Sequence, residues 1–114
     1  MENVIEMVSF KLLAGTTPED FIEAANQSQK FVATLKGFQY RSLSHDAEND
    51  TWTDVVYWDS MEDAKSAGEQ FVNCAECQPL MVLIDSESVN MQHQVLRMSL
   101  SLIHISEPTR LTRI

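Results

Sequence analysis

Between Thr51 and Ala67 the chain reads T-W-T-D-V-V-Y-W-D-S-M-E-D-A-K-S-A, a strand pattern that runs straight into a helix pattern. Residues 51–58 are rich in β-branched and aromatic side chains, which suit a pleated, half-buried surface. Ser60 stands where a helix N-cap is needed, and Glu62 and Asp63 favour the first turn. Met61, Ala64, Ala67 and Phe71 then repeat at helical spacing. The strand also carries a carboxylate, Asp54, between Thr53, Val55 and Val56.

The rest of the chain arranges itself around this junction. Val4 to Leu13 alternates as a strand, with Val4, Val8, Phe10 and Leu12 on one face and Ile5, Met7 and Leu13 on the other, which suits a central position. Thr17 caps a first helix, with Pro18 at its first position and Glu19 and Asp20 after it. Its apolar stripe of Phe21, Ala24 or Ala25, Ser28, Phe31 or Val32, and Leu35 predicts a helix to about Lys36, stopped by Gly37. Phe38 to His45 forms a second strand, joined to the third by the polar turn Asp46 to Asp50, so the two make a hairpin. The expected register pairs Phe38 with Trp58, Tyr40 with Val56, Ser42 with Asp54 and Ser44 with Trp52. One face would then carry Phe38, Tyr40, Trp52, Asp54, Val56 and Trp58. Arg41, on the opposite phase from Tyr40, falls outside that face. Pro79 ends one helical piece and begins a short one. Asp85 to Arg97 is the fourth strand, with Val89, Met91, His93 and Val95 alternating against Asn90, Gln92 and Gln94.

The order β-α-β-β-α-β predicts an α+β, ferredoxin-like fold: a four-stranded antiparallel sheet with two helices on one face. Such a sheet, apolar or aromatic on both faces, has to hide its second face, and self-association is the simplest way.

Composition enters as an exclusion. The formal net charge of −9 and the absence of a basic stripe argue against nucleic-acid binding. No apolar run approaches the roughly 20 residues that span a bilayer, and the N-terminus lacks the basic start of a signal peptide. The expectation is a cytoplasmic protein. Cys74 and Cys77 form a C-x-x-C that follows a helical pattern, whereas a redox pair starts one. A structural zinc site needs four ligands. Two inert, partly buried thiols and no metal are expected.

Residues 1–98 form one domain in this reading. Leu100 to Arg110, L-S-L-I-H-I-S-E-P-T-R, matches the conceptual translation of a transposon-end adapter used in sequencing libraries. Residues 99–114 are therefore read as a non-native tail that carries no functional argument.

The segments V-S-F-K-L-L-A-G-T-T-P-E-D-F (8–21), L-K-G-F (35–38), W-x-D-V-V-Y-W-D-S-M-E-D-A (52–64) and S-V-N-M-Q-H (88–93) together resemble the dimeric α+β barrel superfamily, in particular its antibiotic biosynthesis monooxygenase-like domains. The resemblance implies a homodimer in which two sheets pack face to face as a dimeric α/β barrel, with a pocket in each half. It implies cofactor-independent monooxygenase-like activity on an aromatic or polyketide-type small molecule, or a non-catalytic ligand-binding or stress-related dimer. The haem-degrading branch carries a histidine late in the second helix. Here that region reads F-V-N-C-A-E-C, without one, so no haem and no other cofactor is expected.

Asp54 is the first candidate base, because an apolar setting raises a carboxylate's pKa toward useful values; a paired structural role is the alternative. His93 is the second, as a natural proton shuttle or as a satisfied interface histidine. Trp52, Trp58 and Tyr40 are the candidate substrate walls, or else core aromatics. His45, at the turn, is expected to be solvated.

Overall fold

The computed structural model describes residues 2–99. Strands β1 (Val4–Phe10), β2 (Phe38–Asp46), β3 (Thr51–Trp58) and β4 (Asn90–Val95) form one antiparallel sheet in the order β2-β3-β1-β4. Helix α1 (Pro18–Val32) links β1 to β2, and α2 (Met61–Val72) with the short α3 (Gln78–Met81) links β3 to β4. The fold is α+β and ferredoxin-like. Residues 100–114, on which the tail reading falls, lie outside the described residues.

Both helix starts form as their sequences require. The Thr17 hydroxyl accepts from the Asp20 N–H at 3.1 Å, and the Ser60 hydroxyl accepts from the Asp63 N–H at 3.1 Å. The buried stripe of α1 is Phe21, Ala24, Ala25, Ser28 and Val32. The helix closes at Val32, a turn before the expected Lys36, and Gly37 reverses the chain at a φ of 85°. That glycine is required twice over: the φ is left-handed, and a Cβ there would run into the Asp63 side chain at the start of α2.

The main departure from the expected register lies in β2. Phe38 pairs with Trp58, but a β-bulge between Phe38 and Tyr40 then sets Tyr40 opposite Tyr57, Arg41 opposite Val56, Leu43 opposite Asp54 and His45 opposite Trp52. A bulge places two residues against one, and in a period-2 element that slip turns every later side chain to the other face. Tyr40, Ser42 and Ser44 therefore leave the helix-covered face, and Arg41, Leu43 and His45 join it. Tyr40 packs edge-on against Tyr57 at 5.7 Å on the uncovered face.

The fourth strand is shorter than expected. Ser86–Ser88 form a single 3₁₀ turn before it, held to β1's end by the Lys11 N–H donating to the Ser88 hydroxyl at 2.7 Å. Ile84 bridges to Leu12.

The helix-covered face carries Val4, Glu6, Val8 and Phe10 from β1 and Trp52, Asp54, Val56 and Trp58 from β3. Its apolar residues collect into two clusters, one around Val4, Val56, Trp58 and Ala64, the other around Phe10, Phe21, Trp52 and Leu80. Phe21 is wholly buried, which contributes about 1.5–3 kcal/mol by removal from water. Phe71 of α2 packs against both clusters, and the polar residues lie between them.

Candidate functional site

The middle of the covered face holds four ionisable side chains from four strands. Arg41 of β2 reaches Asp54 of β3 with two parallel hydrogen bonds, Nε to Oδ1 at 3.0 Å and Nη2 to Oδ2 at 2.7 Å. Its remaining nitrogen, Nη1, donates to the Ser28 hydroxyl at 3.0 Å and to Gln29 Oε1 at 3.2 Å, both on α1. Ser28 is fully buried, and its own hydroxyl donates to the Ala25 carbonyl at 2.8 Å. The pair is nearly closed to water, with 8% of the Arg41 side chain and 16% of the Asp54 side chain exposed. Fork-to-fork geometry and burial make this a strong charge-assisted contact.

Glu6 of β1 is the second carboxylate. It is buried, and its Oε1 accepts from the Trp58 indole N–H at 3.0 Å. Its Oε2 has no hydrogen-bond partner among the described residues; the His93 imidazole of β4 lies beside it, with Nε2 at 4.0 Å. Glu6 and His93 are direct cross-strand partners. Burial pushes the Glu6 carboxyl above the ordinary carboxylate range, and the nearby Asp54 charge adds to the rise. The Trp58 hydrogen bond, His93 and Arg41 oppose it without cancelling it.

These groups border a cavity of about 190 Å³ between the sheet and the helices. Glu6, Arg41 and Asp54 are its polar edge; its walls include Val8, Phe10, Trp58, Phe71, Leu80 and Ile84. Among the described residues, no charged side chain of a helix lines it. Gly68 and Val72 of α2 and Met91 of β4, also in its lining, are exposed. A dry cavity of about 150 Å³ accommodates benzene, so this volume suits a ring with small substituents.

Asp54 and Trp58 therefore lie on the cavity. His93 lies behind Glu6 and is not part of the lining. Trp52 is buried in the second cluster, edge-on to Phe21 at 5.0 Å and stacked on His45 at 4.1 Å. It borders a separate groove of about 450 Å³ between α1 and β2. Tyr40 lines neither. His45, expected to be solvated, is exposed, with one ring face stacked on Trp52 and Nε2 3.1 Å from Asp50 Oδ1. Two site residues differ from the sequence reading: Glu6, which it does not single out, and Arg41, which it places on the opposite face. Glu6 was legible, because it alternates in phase with Val4, Val8 and Phe10. Arg41 was not, because its face depends on the bulge.

Cys74 and Cys77 are buried free thiols. Burial and the neighbouring Cys74 push the Cys77 thiol up to about 12, which makes it a poor nucleophile. Among the described residues, no group of three or more His, Cys, Asp or Glu is placed to hold a metal ion. No helix among them is long and apolar enough to cross a membrane.

No family model matches the chain, and no curated protein matches it in sequence. Solved structures do. SnoaB, a cofactor-independent oxygenase from Streptomyces nogalater, is 17% identical with a TM-score of 0.71, covering 89% of this chain and 99% of that one. A Bordetella bronchiseptica protein provisionally named an antibiotic biosynthesis monooxygenase is 19% identical with a TM-score of 0.70, covering 88% of this chain and 100% of that one. A dimeric ferredoxin-like protein of unknown function from Thermobifida fusca is 12% identical with a TM-score of 0.66, covering 83% of this chain and 92% of that one. At these identities the shared property is the fold.

Proposed function

We propose that this chain is a cytoplasmic, homodimeric, monooxygenase-type enzyme that works without a metal or organic cofactor on an aromatic or polyketide-type small molecule. The observation that carries the reading is the cavity itself: apolar walls, a volume of about 190 Å³, and a buried carboxylate at its edge with one oxygen unclaimed among the described residues. Dioxygen reacts directly with a carbanion or phenolate, so such an enzyme needs a base and a water-poor aromatic pocket. In the proposed reaction Glu6 takes a proton from an acidic ring carbon or hydroxyl. The resulting anion supplies the electrons, one oxygen atom stays on the ring carbon as a carbonyl, and the other leaves with the two displaced hydrogens as water. SnoaB, named as a cofactor-independent oxygenase, has the same fold, which supports the class of chemistry.

Of the two carboxylates Glu6 suits the base better. Both Asp54 oxygens are held by Arg41, whereas burial raises the pKa of Glu6 toward the working range. Asp54 then fixes Arg41, and Trp58 and Phe10 form the ring-contacting walls. For the dimer, the support is the uncovered sheet face, where Ile5, Met7, Val55 and Tyr57 are half-buried and Tyr40 is exposed, together with solved neighbours described as dimeric.

One observation favours a second reading, a non-catalytic ligand-binding dimer: the Arg41–Asp54 pair satisfies both partners internally. Oxygen uptake separates the two. Hydroquinones and anthrone-like phenols are offered to the wild type, Glu6→Gln and Asp54→Asn. The enzymatic reading expects uptake that Glu6→Gln abolishes and Asp54→Asn only reduces. Equal uptake in all three removes both carboxylates from the mechanism, and binding without uptake supports the second reading.

A further inference from the structure

Glu6 presents a proton-balance problem. A base at the inner edge of an apolar cavity has to pass its proton on before it can act again. Its Oε1 faces the Trp58 indole N–H, which only donates and cannot accept. Asp54 is occupied at both oxygens by Arg41, and Arg41 does not give up its charge. On the helix side the lining is apolar. The remaining neighbour is His93, directly across the β1–β4 pair, on the edge strand of the sheet. Its side chain is 23% exposed, against 12% for Glu6, so it lies on the solvent side of the carboxylate.

We infer that Glu6 and His93 form a proton-transfer pair in which a proton taken up at Glu6 Oε2 leaves the cavity through the His93 imidazole. The inference rests on the reading that a ligand gives up a proton in this cavity. The balance is simple. The ligand X–H bond breaks and its proton joins the Glu6 carboxylate. That proton passes to Nε2 of neutral His93, restoring the carboxylate. The imidazolium then releases its other ring proton, at Nδ1, to water. The 4.0 Å separation of Oε2 and Nε2 exceeds a direct hydrogen bond, so one bridging water or a small turn of the imidazole completes the path. The titratable and charged groups facing Glu6 among the described residues are Asp54, Arg41 and His93; Arg41 accepts no proton, both Asp54 oxygens are held by Arg41, and the His93 side chain is the most exposed of the three at 23%. His93 is thus a relay residue that does not touch the ligand.

The test uses 4-nitrophenol, whose ionisation is read as colour without any turnover, mixed with the full chain in a weak buffer containing a pH indicator. The wild type should bind it, ionise it and release the proton to the buffer in step. His93→Gln should still ionise the bound phenol but release the proton about a hundredfold more slowly, the low end of general acid–base effects. Added imidazole should restore the rate, and His93→Asn should behave alike. Glu6→Gln should leave the bound phenol neutral. Release at the wild-type rate in folded His93→Gln, or failure of imidazole to restore it, overturns the relay. Failure of the wild type to bind or ionise the phenol overturns it together with its premise. Normal proton release with no oxygen uptake on any phenol leaves the relay standing and removes the oxygenase reading.

Discussion

Arg41 and Asp54 are diagonal neighbours on β2 and β3, joined through both guanidinium edge nitrogens and both carboxylate oxygens in the centre of the covered sheet face. Neither residue could sit there alone, because an isolated buried charge loses its hydration without replacement. Together with Ser28 and Gln29 they tie α1 to the sheet between the two apolar clusters, where the cavity interrupts the packing.

Removing one partner of this pair should therefore cost more than removing both. Arg41→Leu leaves Asp54 buried and unpaired, with an expected loss of about 3–5 kcal/mol. Arg41→Leu combined with Asp54→Leu should recover most of it, since apolar replacement of a buried pair is often neutral. Urea denaturation of the two singles and the double gives the coupling directly; additive losses would contradict it.

Glu6 makes the stability pH-dependent in the opposite sense from a paired carboxylate. Its folded pKa lies above the ordinary value, chiefly through burial. The folded chain therefore holds this proton more tightly than the unfolded chain. The stabilisation is full below the ordinary carboxylate pKa and is lost as pH rises through the folded value. Glu6→Gln, neutral throughout, should gain in Tm relative to wild type as pH rises above the ordinary carboxylate pKa of about 4.3. A Tm difference that stays constant with pH would count against a buried, ionising Glu6.

Gly37 fixes the approach of α2. Replacing it with alanine forces a non-glycine residue into the left-handed region, about 1–2 kcal/mol, and pushes a methyl group into Asp63. Gly37→Ala should lower stability by at least that amount. Because the Asp63 Cβ is itself in the way, the relieving partner is Asp63→Gly: measured against Asp63→Gly alone, adding Gly37→Ala should cost only the backbone part. No recovery in the double variant would mean that the backbone conformation accounts for the whole loss.

The uncovered sheet face provides a test of the dimer. Val55 lies opposite Met7 near the centre of that face. Val55→Lys would place two charges against each other across a two-fold interface, so it should shift sedimentation from dimer to monomer without loss of the circular-dichroism signal. A wild-type chain that sediments as a monomer at micromolar concentration would remove the barrel assembly.

Some features lay open in the sequence because they depend on near neighbours along the chain. Thr17 and Ser60 cap helices because a side-chain oxygen there meets an N–H three residues on. The stripe of Phe21, Ala24, Ala25, Ser28 and Val32 follows from helical periodicity, and the phase of Val4, Val8 and Phe10 from strand periodicity. The place of Asp54 on a covered, central strand was legible for the same reason. Periodicity also put Glu6 in phase with Val4 and Val8, although hydrophobic pattern alone gives no reason to single out a carboxylate.

The composition of the site was decided elsewhere. One extra residue near Gln39 turns Arg41 toward Asp54 and Tyr40 away from it. A bulge reflects the summed packing of two strands and leaves no fixed local signature. The partner of Glu6 lies 87 positions along the chain at His93, brought adjacent only when β1 and β4 pair. The sequence by itself determined the element order, the caps and the apolar phases, because those are set by interactions within a few residues. The tertiary structure alone decided which charges face each other, because burial makes each carboxylate's state depend on whichever distant group the fold sets beside it.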